Sequence, residues 1–112
     1  EFPKKMRKLA RDNAILAKIQ SNDVCVVDDL RFETPKTKTV AAMLGTLGAD
    51  RGCLLATHEA DRVLYLSGRN IPKTDVKVLE EVTAFEVLRR RKLVLTRPAF
   101  DRLAEGRTKS EA

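Results

Sequence analysis

The sequence predicts an α/β fold: a three-layer sandwich in which a mainly parallel sheet of about four strands is flanked by helices. Three observations predict it. Short apolar runs rich in β-branched residues recur along the chain, helix-period segments separate them, and Thr, Pro and Gly stand where those segments should start and stop. At 112 residues the chain suits a single domain over 1–106, followed by a disordered tail over 107–112.

Lys4 to Ile19 reads as an amphipathic helix, with Met6, Leu9, Ala10, Leu16 and Ala17 on one face and Lys4, Lys8, Arg11 and Lys18 on a basic outer side. After the turn Ser21-Asn22-Asp23, Val24 to Val27 is a continuous apolar run, as expected of a strand covered on both faces. Thr34-Pro35 opens a second helix, with Thr34 as the N-cap. Val40, Met43, Leu44 and Leu47 supply its i, i+3, i+4, i+7 stripe, and Gly48 its end. Cys53 to Thr57 is a second buried strand, and Glu59 to Leu66 fits either a helix or a strand, with helix preferred.

Ser67 to Pro72 reads as a loop and Val76 to Leu79 as a third strand. Thr83-Ala84-Phe85-Glu86 matches a capping box, so a helix follows from Ala84 to Arg91. Leu93 to Leu95 is the fourth strand. A last helix starts at Thr96, two residues before Pro98, and ends at Gly106.

Apolar residues make up 43% and charged residues 34% of the chain, a globular composition, and no apolar run approaches the roughly 20 residues that span a bilayer. No membrane association is expected. Cys25 and Cys53 sit in apolar runs and read as buried thiols of a reducing compartment; with the single His58 they make no metal-ligand spacing. No GxGxxG, Walker loop or nucleophile elbow occurs, so neither cofactor nor small-molecule substrate is expected.

The net charge of +6 points to an anionic partner. Lys36 and Lys38 fall in a first helical turn, where the macrodipole disfavours cations. With the hydroxyls of Thr34, Thr37 and Thr39 and the free N–H groups there, they would suit a phosphate; pointing into water is the equal alternative. Lys4, Lys5, Arg7, Lys8 and Arg11 form a run without the mixed signs of an ordinary solvated helix, which favours phosphate contact. Arg69-Asn70 could touch an RNA backbone or simply form a turn. Arg89-Arg90-Arg91-Lys92, the most conspicuous cluster, lies at a helix C-terminus where cations are stabilising, and is read as structural. Asp28-Asp29 at the end of the first strand suggests a receiver-like phosphotransfer domain holding Mg²⁺. Such a domain also needs an Asp ending a middle strand, and here that strand ends Leu55-Ala56-Thr57-His58.

Five ordered segments carry a more specific likeness: Pro3-Lys4-Lys5-Met6-Arg7-Lys8-Leu9-Ala10, Val26-Val27-Asp28-Asp29-Leu30, Pro35-Lys36-Thr37-Lys38, Tyr65-Leu66-Ser67-Gly68-Arg69-Asn70-Ile71-Pro72 and Lys92-Leu93-Val94-Leu95-Thr96. Together, from Pro3 to about Glu105, they resemble the bacterial large-subunit ribosomal protein of the L-four family. One departure is Gly68, where the family usually has alanine.

The resemblance implies a non-enzymatic constituent of the large ribosomal subunit that binds large-subunit ribosomal RNA, meets neighbouring ribosomal proteins and supports assembly. Its setting would be the ribosome of a bacterial cytoplasm, with an organelle as the alternative. Some members also repress translation by binding messenger RNA. The chain is expected to correspond to the C-terminal part of the family, without its N-terminal strand and tunnel extension. The expected RNA-binding residues are Lys4, Lys5, Arg7, Lys8, Arg11, Thr34, Lys36, Thr37, Lys38, Arg69 and Asn70. A receiver-like domain and a protein-interaction module are the competing readings.

Overall fold

A computed structural model describes residues 3–28, 33–34, 36–49 and 51–111, the last six of these as backbone only. The elements in order are α1 (Lys4–Gln20), β1 (Val24–Val27), α2 (Thr37–Thr46), β2 (Cys53–Thr57), α3 (Arg62–Gly68), β3 (Thr74–Val78), a 3-10 turn (Leu79–Glu81), α4 (Ala84–Arg89), β4 (Lys92–Thr96) and α5 (Arg97–Glu111). The four strands form one sheet in the order β1-β4-β2-β3, and every pairing is parallel. The α/β class and the strand count thus agree with the sequence.

Side chains alternate across a strand, so the central strands feed two cores. Leu54, Ala56, Leu93 and Leu95 meet Ala14 and Ile15 of α1, Val87 of α4 and Ala99 and Leu103 of α5. Cys53, Leu55 and Val94 meet Val40 and Leu44 of α2 and Leu64 of α3. The three layers are therefore α1, α4 and α5, then the sheet, then α2 and α3. All five residues of β2 are buried, as a central parallel strand requires. Cys53 is a buried free thiol and Cys25 a half-buried one. Burial pushes the Cys53 thiol above its ordinary pKa.

Four local expectations need correction. The buried stripe of α1 is Arg11, Ala14 and Ile15, continued by half-buried Lys18, while Met6 and Leu9 are 52% and 62% exposed. Periodicity treats Arg and Lys as outward residues, yet their long stems can line a core while the charged ends reach backbone carbonyls. The N-cap of α2 is Lys36 and not Thr34, which lies in an exposed bend; Pro35 lies outside the described residues. Ser67 and Gly68 are buried in the last turn of α3, not in a loop. The helix starts after Asp61, whose carboxylate accepts the Leu64 N–H at 3.1 Å. The backbone of α5 remains helical past Gly106 to Glu111, where a disordered tail is expected.

The capping box appears as expected. Thr83 Oγ accepts the Glu86 N–H at 3.2 Å, and the Glu86 carboxylate accepts the Thr83 N–H at 3.1 Å.

Candidate nucleic-acid interface

The start of α2 is electrostatically unusual. No side chain caps it and its first turn has no acidic residue, although carboxylates are the favoured occupants of that position. The Lys36 carbonyl accepts the Val40 N–H at 3.1 Å, so the N–H groups of Thr37, Lys38 and Thr39 precede the first intrahelical bond. Thr37, Lys38 and Thr39 are all exposed.

Lys36 is held from below. Its backbone N–H donates to Ser67 Oγ at 2.8 Å, and Ser67 Oγ donates in turn to Val63 O at 2.8 Å. The fully buried Ser67 hydroxyl fastens the entry of α2 to the last turn of α3. Arg69 and Asn70 follow at once and are exposed. Two clusters that the sequence treats separately are thereby brought onto one side of the sheet. Ser67 is a positioning residue that sequence reasoning missed, because a Ser next to Gly signals a loop; the apolar run Val63 to Leu66 before it is the clue that it ends a packed helix.

Lys4, Lys5, Arg7 and Lys8 lie elsewhere. α1 packs on the opposite face of the sheet from α2 and α3, so the expected RNA-binding residues form two surfaces. Lys4, Arg7 and Lys8 line one wall of a groove of about 960 Å³, and Glu80 and Glu81 line it as well. Mixed signs make it a poorer phosphate site than the start of α2.

Arg11 belongs to neither surface. It is only 7% exposed, donates from Nη1 to Leu79 O at 3.1 Å, and pairs with Asp12 at 2.8 Å. Arg11, expected among the RNA-binding residues, stitches α1 to the 3-10 turn. Lys18 is spent similarly, donating to the carbonyls of Arg90 and Arg91 at 2.6 and 3.1 Å.

Asp28 is exposed after β1, and Asp29 lies outside the described residues. Among the described residues no group of three His, Cys, Asp or Glu side chains could hold a metal ion, and no helix is long and apolar enough to cross a membrane.

Residues 1–106 match the ribosomal protein L4/L1 family. The chain is 38% identical over 103 residues to the large ribosomal subunit protein uL4 of Clostridium beijerinckii, covering 92% of this chain and 50% of that protein. It is 39% identical over 103 residues to uL4 of a Methylobacterium species, with the same coverage, and 37% identical over 104 residues to uL4 of Amoebophilus asiaticus, again with 92% and 50% covered. The chain spans about half the length of the curated relatives it matches. A parallel four-stranded α/β sheet, the ordered basic segments and a match over nearly the whole chain agree: the chain belongs to the ribosomal protein L4/L1 family.

Proposed function

We propose that this chain is a non-catalytic constituent of the large ribosomal subunit that binds its ribosomal RNA through phosphates and supports subunit assembly on a bacterial, cytoplasmic ribosome. The observation that carries the reading is the Lys36 to Ser67 hydrogen bond of 2.8 Å. It joins an uncapped helix entry bearing Lys36, Thr37 and Lys38 to the exposed Arg69-Asn70, so that free N–H donors and cations face solvent together. Lys4, Lys5, Arg7 and Lys8 offer a second, weaker surface across the sheet. Contacts of this kind set affinity and register but read no bases.

Filter binding to transcribed large-subunit ribosomal RNA over a salt series tests it. Because the backbone of Lys36 makes the structural bond, Lys36→Ala with Lys38→Ala removes charge without removing the tie. The slope of log K against log salt is expected to flatten by up to about two units. Ser67→Ala is expected to weaken binding with no change of charge. An unchanged slope in the double variant eliminates the surface, and no salt-dependent binding by the parent chain eliminates the RNA reading.

A further inference from the structure

A parallel sheet brings the starts of all its strands to one end, and here that end is basic. Cys53 is in register with Thr74 on one side and Lys92 on the other. One residue further out, Arg91, Gly52 and Lys73 therefore stand side by side, with neighbouring strands about 4.8 Å apart. Backbone bonds lock the row: the Lys92 N–H donates to Gly52 O at 3.1 Å and the Cys53 N–H to Lys73 O at 3.0 Å. A Cβ on Gly52 would lie 3.8 Å from Lys73 O and 3.9 Å from Arg91 N. Gly52, itself buried, adds no side chain between two cations, and Arg51 stands directly before it.

The described acids at this end are already taken, Asp50 lying outside the described residues. Asp23 pairs with Lys92 at 3.4 Å and Asp75 with Arg90 at 2.8 Å. The run from Arg89 to Lys92 is divided: Arg90 and Lys92 make these pairs, while Arg89, the last residue of α4, and Arg91 are exposed. Arg51, Lys73 and Arg91 are exposed and have no acidic partner among the described residues.

The backbone adds an independent observation. Three of the turns that enter strands contain a residue at positive φ: Asn22 at 60° before β1, Gly52 at 139° before β2 and Lys73 at 58° before β3. Asn and Gly accept this conformation readily, whereas a lysine is strained there. Turn chemistry would select Gly or Asn at position 73 as it does at the other two. A strained residue kept at an exposed turn points to a use for its side chain.

We propose that the amino-terminal end of the sheet, with Arg51, Lys73 and Arg91 around the start of β2, is a further phosphate-binding surface for RNA. It rests on the RNA-binding reading above, uses different residues, and assigns Arg91 a role that its place beside a helix end conceals. Arg69-Asn70, three residues before Lys73, lies in the segment that leads from α3 to this surface.

The test is filter binding of the full 112-residue chain to transcribed large-subunit ribosomal RNA at about 50 to 200 mM salt, with a thermal melt of every variant. Lys73→Asn is expected to melt no lower than the parent, because Asn suits the backbone. It is also expected to bind RNA more weakly, with a slope lower by about one unit. Lys73→Asn with Arg91→Gln is expected to lower it by up to about two units. Arg62→Gln with Arg97→Gln removes the same charge elsewhere and is expected to change it less.

The proposal is overturned if the Lys73/Arg91 double variant keeps the parent's affinity and slope, if the Arg62/Arg97 control loses as much, or if binding falls only in step with melting temperature. Flattening by Lys36→Ala with Lys38→Ala but not by Lys73→Asn with Arg91→Gln would sink this surface alone. A parent chain that binds no RNA would sink both readings.

Discussion

Arg90 and Asp75 join the exit of α4 to the edge strand β3. Nε donates to Oδ2 at 2.8 Å and Nη2 to Oδ1 at 3.3 Å, and the two side chains are only 16% and 29% exposed. The Arg90 hydrogen bond holds the Asp75 carboxyl below the usual carboxylate range. A carboxyl depressed in the folded state contributes stability that is fully present above its unfolded value of about 3.9, and this contribution disappears as pH falls through the folded value. Arg90→Met is therefore expected to lower the unfolding free energy by about 1 kcal/mol at pH 7. Urea titrations should show the gap between parent and variant closing below about pH 4. A gap that persisted there would assign the loss to packing rather than to charge.

Arg11 gives a contrasting expectation. Its guanidinium satisfies the carbonyl of Leu79, which is 2% exposed, so Arg11→Met leaves a buried acceptor without that donor. A loss of about 2 kcal/mol is expected in urea unfolding. The salt slope of RNA binding should not change. A flattened slope with undiminished stability would restore Arg11 to the interface.

These two arginines show what was legible in the sequence. The two central strands were readable because each is buried on both faces, which demands a continuous apolar run such as Cys53 to Thr57. The α4 boundary was readable because Thr83 and Glu86 act locally, three residues apart. Long-range commitments left no such trace. Nothing near Arg11 in sequence indicates that a carbonyl 68 residues away will take its charge, and nothing near Ser67 indicates the Lys36 N–H 31 residues away. The cations at the amino-terminal end were hidden for the same reason: Arg51, Lys73 and Arg91 become neighbours only through strand order and register.

The local nature of the α4 cap gives a prediction separable from tertiary packing. Thr83 is exposed, so Thr83→Ala removes a hydrogen bond while leaving the core intact, and a loss of about 1 kcal/mol is expected. Thr83→Ser retains the acceptor and should recover most of it. Glu86 also meets Lys77 across the surface at 2.9 Å, but Lys77 is 43% exposed, and Lys77→Met should cost no more than a few tenths of a kcal/mol. If Lys77→Met proved the costlier change in chemical unfolding, the ion pair and not the cap would be holding α4.

At Gly68 two effects of opposite sign compete. The residue ends α3 without a positive φ, so helix propensity alone would make Gly68→Ala stabilising by up to about 1 kcal/mol. An added Cβ would, however, meet Val76 Cγ2 at 2.6 Å, inside any tolerable contact. Val76 cannot readily retreat: a β-branched side chain is stiff at χ1, and its backbone is paired with Leu55 in the sheet. Overpacking of this kind costs about 1 to 3 kcal/mol, which exceeds the propensity gain. Gly68→Ala is therefore expected to be net destabilising. In a Val76→Ala background the obstruction is gone, so the same change should turn neutral or favourable, with a coupling between the two sites of about 1 kcal/mol or more. Additive effects in the double-mutant cycle would show that α3 shifts freely over β3 and that Val76 does not determine the residue at 68.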